Sequence, residues 1–294
     1  MTGGLINILK PPGMTSHDVV SFIRRTYHLK RVGHAGTLDP AAAGVLPVAL
    51  GPATRMLEYM TDCDKSYRVE LTIGYETDTG DDTGTITNST DCTMPDHSHI
   101  EEVLSSFLGT IEQIPPMYSA IKIQGKKLYE LARAGITVER KARVVTIHEI
   151  SLLKVNEKSI LFDVTCSKGT YIRSLCTDIG TKINCPVVMS FLVRTRVGSF
   201  AVDQAFTLEE IGLHPESSIL PVDHALGHMP QVILSPELTK AFKHGQNIPT
   251  TLSDECDQDL LRIYDHDNVL IGIGQKKANV PTIIPIKVLI SGQP

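Results

Sequence analysis

Gly33-His34-Ala35-Gly36-Thr37-Leu38-Asp39-Pro40 is the most constrained stretch of the chain. Two glycines within four residues permit tight backbone geometry. Pro40 drives Asp39 toward an extended conformation that does not continue as helix. A carboxylate is therefore presented from a fixed loop, five residues after an imidazole. Local pattern alone favours a plainer reading, an Asx-type turn in which Asp39 caps a neighbouring amide.

The segments around this loop mix helix and strand. Upstream, Thr15-Ser16-His17-Asp18 has the hydroxyl and the acid of a helix start, and Val19, Val20, Ile23 and Tyr27 follow at helical spacing. Downstream an apolar stretch runs to Gly51. From Tyr67 the chain alternates, with Tyr67, Val69, Leu71, Ile73 and Tyr75 on one face, which predicts a half-buried strand. The Thr- and Asp-rich segment after it reads as a surface loop. Residues 100–108 return to helical spacing, with Gly109 suited to the C-terminal cap. Strand-like runs follow at 144–154 and 159–167, then a helix striped by Ile172, Leu175, Cys176, Ile179 and Ile183. No regular β-α-β beat exists, so the predicted class is α+β. Beyond a composition change at 224–235, a short helix and short strands predict a small β-barrel appended to the larger domain.

Composition narrows the function. With 294 residues, the chain has a soft prior of about two domains and is long enough for a core without staples. No run approaches ~18 apolar residues, so no membrane span is expected. The N-terminus lacks the pattern of a signal peptide. The six cysteines are scattered without a C-x-x-C pair, which argues against a zinc site and a disulfide framework. A reduced, cytoplasmic protein is the expectation. The net charge of −5 argues against nucleic acid as a partner, but the charge is segregated. Residues 76–112 carry nine carboxylates and no Lys or Arg. Residues 117–143 carry Lys122, Lys126, Lys127, Arg133, Arg140, Lys141 and Arg143 against Glu130 and Glu139. That basic run fits a solvated helix face as well as a phosphate-contacting arm.

Two further residues carry possible chemistry, each with a plainer reading. Tyr67 taken alone is a core tyrosine with a satisfied hydroxyl. Arg173 taken alone is a surface arginine at a helix start. A cation there opposes the helix dipole and calls for an anion, a role that Asp39 would fill.

Taken together, these segments resemble the tRNA pseudouridine synthase B (TruB) family. The resemblance rests on Asn7-Ile8-Leu9-Lys10-Pro11-Pro12-Gly13-Met14-Thr15-Ser16, on Gly33 through Pro47, on Lys65-Ser66-Tyr67, and on Ser167-Lys168-Gly169-Thr170-Tyr171-Ile172-Arg173. Pro115 through Ala120 with Lys122, and Val193-Arg194-Thr195-Arg196-Val197-Gly198, match as well. It is dense over residues 5–200 and looser in the tail. It implies a mixed-sheet pseudouridine synthase domain over 1–229, with a thumb-like RNA-binding insertion at 117–143, and a PUA-like RNA-binding barrel over 230–294. The implied activity is isomerisation of a uridine in the T-loop of tRNA, at tRNA position 55, to pseudouridine. The implied partner is the T-arm of tRNA, with a monomer expected and no metal or organic cofactor implied.

The resemblance also implies roles. Asp39 is the nucleophile, and a carboxylate that bonds covalently to sugar or base splits one hard step into easier ones. Arg173 is its ion-pair partner, and a nearby guanidinium favours an ionised carboxylate. Tyr67 stacks on the base and accepts the C5 proton, and Tyr171 is a second active-site tyrosine. A uridine inside a structured loop must be flipped out, and His34 matches the histidine that fills the vacated space. Lys10 is grouped with the substrate-binding residues as a support of the catalytic loop. Two departures stand out. Glu58, Asp62 and Asp64 make the face near Arg55 less basic, and the tail past residue 250 has only Arg262, Lys276, Lys277 and Lys287.

Two rival functions compete. A non-catalytic RNA-binding protein or tRNA-folding chaperone explains the basic segment but not the joint match of Asp39, Tyr67 and Arg173. A glycoside hydrolase needs a second carboxylate as general acid, and the acidic 76–112 stretch is the place to seek one.

Overall fold

The structure is a computed structural model that describes residues 3–123, 125–249, 260–276 and 281–289. The chain opens with β1 (Gly4–Lys10), α1 (Ser16–Thr26), β2 (Val32–His34), β3 (Ala43–Leu50) and α2 (Leu57–Thr61). β4 (Lys65–Ile73), β5 (Tyr75–Thr77), β6 (Ile86–Ser89), α3 (His97–Ser105) and β7 (Gly109–Gln113) follow. The basic segment holds the two-residue strands β8 (Lys122–Ile123) and β9 (Lys126–Lys127) and the short α4 (Leu128–Arg133). Then come β10 (Arg143–Val155), β11 (Ser159–Cys166), α5 (Ile172–Lys182), β12 (Val187–Val197), β13 (Phe200–Ala201) and α6 (Leu208–Leu213). The tail comprises β14 (Gln231–Ile233), α7 (Pro236–Lys243), β15 (Ile248–Pro249), β16 (Leu260–Tyr264), β17 (Leu270–Lys276) and β18 (Thr282–Val288).

A nine-stranded sheet organises the main body in the order β7-β10-β11-β4-β12-β3-β1, with β2 on β3 and β13 on β12. All its pairs are antiparallel except β12 with β3. Helix α1 begins as the sequence predicts. Thr15 and Asp18 form a reciprocal capping box, and Val19, Val20 and Ile23 pack against Ile6, Ile8, Leu46 and Val48. Alternation along β4 buries Tyr67, Val69, Leu71 and Ile73 beneath α3 and α5, which contribute Ile100, Val103, Leu104, Leu175 and Ile179. Each fully buried aliphatic side chain of this kind contributes about 1.5–3 kcal/mol. The α+β class stands.

Three local expectations need correction. The acidic segment is not a plain surface loop: β5 and β6 pair as a hairpin within it, and Asp81 is buried. Its threonines satisfy the turn between the strands, which composition alone does not reveal. Helix α3 is capped at Ser106, and Gly109, with φ +89°, instead opens β7. Finally, Cys92 and Cys185 form a disulfide with Cα atoms 6.2 Å apart. Sequence spacing tests only local pairs. Here Gly74 bonds to both Thr90 and Pro186, and so draws segments 93 residues apart to one end of the sheet. Cys256 and Lys277 lie outside the described residues.

The tail is a second sheet, in the order β14-β16-β17-β18-β15, with α7 contributing Phe242 to its core. It shares a small core with the main body: Met56, Leu226 and Met229 meet Ile273. Arg55 donates to the Val288 carbonyl, Lys287 pairs with Glu58, and Arg262 donates to the Met229 carbonyl. Arg55 is thus turned into this seam.

Gly44 sets the closest approach in the main sheet. It is the second residue of β3, with φ +115°, and a Cβ there would lie 2.2 Å from the Arg194 carbonyl oxygen and 2.6 Å from its nitrogen. Both obstacles are backbone. Gly44→Ala is expected to destabilise the protein by more than about 2 kcal/mol, through strain at positive φ added to the clash. Denaturant unfolding checks this, and an unchanged midpoint would refute the close approach.

Candidate active site

The loop between β2 and β3 is clamped almost residue by residue. Ser16, the first residue of α1, accepts from the Leu38 amide and donates to the Leu38 carbonyl. The Gly13 amide donates to Pro40, and the Ala42 amide to Asp39 itself. Arg194 on β12 reaches the Gly36 and Thr37 carbonyls at 3.2 and 3.3 Å. Lys10, the last residue of β1, is fully buried, and its ammonium donates to the carbonyls of Pro11, Met14 and Pro40. All three of its donors are engaged, so Lys10 buttresses the loop and presents nothing to a substrate. Burial holds its pKa down at about 8, with Asp39 opposing and Arg194 adding to the shift.

The outcome is a half-exposed Asp39 carboxylate whose oxygen lies 3.1 Å from a buried Arg173 nitrogen. Arg173 sits in the first turn of α5, and more than one anion compensates it there. It donates to the carbonyls of Thr79 and Tyr118, and its Nε faces Asp81 at 3.9 Å. Asp81 in turn accepts from the Thr79 hydroxyl and from the amide and hydroxyl of Thr83. Arg173 therefore joins the loop carrying Asp39, the β5–β6 hairpin and the entry to the basic segment.

Tyr67 projects from β4 into the same region. Burial raises the pKa of its hydroxyl and the Asp39 charge adds to that, while Arg194 pulls it down. His34 borders the loop, edge-on to His17 with ring centroids 5.8 Å apart. Burial, His17 and Arg194 lower its pKa, which favours the neutral imidazole. Tyr171 caps α5, and its backbone is gripped on both sides by buried Gln113, amide to side-chain oxygen at 2.8 Å and carbonyl to side-chain nitrogen at 3.1 Å.

Asp39, Arg173, Tyr67, His34 and Lys10 thus gather around one loop, and Tyr171 stands two residues before Arg173 at the start of α5. The basic residues do not join them. Lys122, Lys126, Arg133 and Lys141 are exposed on the lobe that carries β8, β9 and α4, and Arg143 is exposed at the start of β10 in the main sheet. Lys127 and Arg133 flank the Tyr129 ring, with the cations 5.3 and 5.4 Å from its centroid. Arg140 is turned inward to the Pro115 carbonyl, so it fastens the base of that lobe. Asp81, Gln113 and Arg194 do not stand out by sequence reasoning. Arg194 lies inside a matched motif, but Asp81 and Gln113 give no local signal. Among the described residues no three His, Cys, Asp or Glu side chains gather as a metal site, and no helix is long and apolar enough to cross a membrane.

Comparison with known proteins places this geometry. Residues 24–172 match the model of the TruB family pseudouridylate synthase N-terminal domain. Residues 173–227 match the tRNA pseudouridylate synthase B C-terminal domain, and 230–289 match the C-terminal model of pseudouridine synthase II TruB. The tRNA pseudouridine synthase B of Alkaliphilus oremlandii is 51% identical over 248 residues, which cover 83% of this chain and 82% of that protein. The one from Caldanaerobacter subterraneus is 48% identical, covering 92% and 94%. Among solved structures, a Cbf5-Nop10-Gar1 complex aligns over 98% of this chain and 85% of that chain, at 27% identity and a TM-score of 0.76. The chain belongs to the TruB family of pseudouridine synthases.

The buried ammonium of Lys10 makes a measurable pH signature. Its folded pKa of about 8 lies below the ordinary 10.5, so between those values the folded state binds fewer protons than the unfolded. Stability therefore rises with pH across this window and is lost as pH falls through about 8. The unfolding free energy of the wild type relative to Lys10→Met should increase from pH 8 to 10.5. A difference that stays flat or falls with pH refutes the burial argument.

Proposed function

We propose that this TruB-family chain isomerises uridine to pseudouridine in tRNA, acting as a monomer on the T-arm at tRNA position 55. The observation that carries the reading is the 3.1 Å pair between half-exposed Asp39 and buried Arg173, with Tyr67 of β4 close by. The name borne by the close relatives, tRNA pseudouridine synthase B, supports the same substrate.

In this reading the target uridine is flipped out of its loop, at a cost of a few kcal/mol in lost stacking. His34, whose burial favours the neutral ring, occupies the space it leaves. The Asp39 carboxylate forms the covalent bond that lets the N1–C1′ bond break, and the detached uracil turns in place. C5 then bonds to C1′ and Asp39 is released. Tyr67 stacks on the base and accepts the C5 proton. Arg173 holds the Asp39 carboxylate toward the substrate, and a fixed guanidinium does this without reorganising during reaction. Tyr171, its backbone fixed by Gln113, lines the same site. Lys10 keeps the loop in shape.

A glycosidase reading is weaker. Asp81 is a second carboxylate from the acidic stretch, but it is buried, its Oδ1 accepts from Thr79 and Thr83, and its Oδ2 faces Arg173 at 3.9 Å, so it buttresses Arg173 instead of standing free as a general acid. The division into a catalytic part over 1–229 and an RNA-binding tail over 230–294 belongs to the same proposal. So does RNA contact by the basic lobe at 117–143.

Asp39→Asn is expected to abolish pseudouridine formation while tRNA affinity stays within about tenfold, because the amide is isosteric but a far poorer nucleophile. Single-turnover rate and filter binding measured together check this. Turnover above a few per cent of wild type removes Asp39 from the nucleophile role.

Neutralising Lys126, Arg133, Lys141 and Arg143, four of the five exposed basic residues of the 117–143 segment, should weaken tRNA binding and flatten its salt dependence. The log–log slope should fall by about 0.7–0.9 for each phosphate that is no longer neutralised. An unchanged slope marks the lobe as a solvated face.

A further inference from the structure

Arg194 is the largest fully buried charged side chain among the described residues, 2% exposed, and no carboxylate lies within ion-pair distance of it there. That arrangement is costly, since a desolvated cation is ordinarily matched by an anion. Three of its five N–H groups are accounted for. Nε donates to the Val45 carbonyl at 2.8 Å, and the two terminal nitrogens to Thr37 and Gly36. The remaining direction is set by strand register. On β12, Arg194 is the cross-strand partner of Gly44 on β3 and of Tyr67 on β4. The Gly44 side has no side chain. The guanidinium and the Tyr67 hydroxyl therefore share one buried space.

Three carbonyls alone do not require a permanent charge, because a neutral donor would satisfy them. A cation without a counter-ion, packed beside a buried phenol, is suited to pair with that phenol in its ionised form. The directions of the Tyr67 shifts agree, since burial and Asp39 disfavour the phenolate while Arg194 favours it by charge and hydrogen bond.

We propose that Arg194 is a positioning residue, the counter-ion of a Tyr67 phenolate, which it ties to the loop carrying Asp39. This rests on the reading of Tyr67 as acceptor of the C5 proton. In that step the C5–H bond breaks and its electron pair forms the C5=C6 double bond. The electrons of the N1=C6 bond move to N1, which takes a proton from water. The C5 proton goes to the phenolate oxygen, and the phenol returns that proton to water before the next turnover.

The test is single-turnover pseudouridine formation at saturating tRNA from pH 6.5 to 9.5, with protiated and 5-deuterated target uridine. Arg194→Met and Arg194→Lys are compared with wild type, with melting temperature and tRNA affinity followed in parallel. Arg194→Met should lose about 100-fold or more at pH 7, the scale of a misplaced general base. Its profile should move to higher pH and its C5 isotope effect should exceed that of the wild type. Arg194→Lys should recover part of the loss. Replacing Tyr67 by 3-fluorotyrosine, whose phenol is more acidic, should restore the Arg194→Lys rate further at pH 7. A loss equal at every pH, with no gain in isotope effect and no rescue, reduces Arg194 to a strut of the loop and overturns the proposal. If Arg194→Met does not fold, the Arg194→Lys and fluorotyrosine arms decide. Tyr67→Phe separates the two readings. Full activity in that variant removes Tyr67 as proton acceptor, and the Arg194 proposal with it. A dead Tyr67→Phe alongside a pH-independent Arg194→Lys sinks the Arg194 proposal alone.

Discussion

A carboxylate set to work on a polyanion must keep its reactive oxygen forward, and the contact between Asp39 and Arg173 is where this protein meets that demand. Arg173 is buried, so its charge is not spent on solvent, and carbonyls from two separate segments fix the plane of its guanidinium. Its other neighbour, Asp81, keeps the cluster from carrying bare positive charge into the interior. Everything around the site serves to hold this one pair in register. The α1 capping turn pins Leu38, Lys10 pins Pro40, and Gln113 pins the backbone just before Arg173.

Strand β12 links the two halves of the arrangement. It lies between β3, which follows the Asp39 loop, and β4, which carries Tyr67. Its parallel contact with β3 is short, and its antiparallel contact with β4 contains two register shifts. One shift falls between Arg194 and Arg196, beside the site. Irregularities of this kind re-aim side chains, and here the strand brings Arg194 against both neighbours at once. Gly44 allows this by leaving the Arg194 backbone room on the β3 side.

Much of this is legible in the sequence wherever the cause is local. The Thr15–Asp18 box is an i to i+3 relation, and the alternation of β4 is a period of two, so both appear in short windows. The loop from Gly33 to Pro40 and the turn before Arg173 are legible as motifs. Asp81 is not, because it sits among eight other carboxylates, and only the Thr79 and Thr83 hydroxyls and Arg173 single it out. Gln113 and the Cys92–Cys185 bond escape for the same reason, since each partner lies more than 50 residues away. Arg140 reads as an RNA contact by its charge, yet Pro115 holds it.

The seam between the two sheets has a mechanical meaning. Met56, Leu226, Met229 and Ile273 form one buried cluster, and the Lys287–Glu58 and Arg55–Val288 contacts brace it at the rim. A module joined by shared apolar packing does not swing on a tether. The tail is therefore packed directly against the main body at this cluster, not hung from it by a free linker. A surface bound by the tail would then stand from Asp39 at a distance set by that packing and not by the reach of a linker.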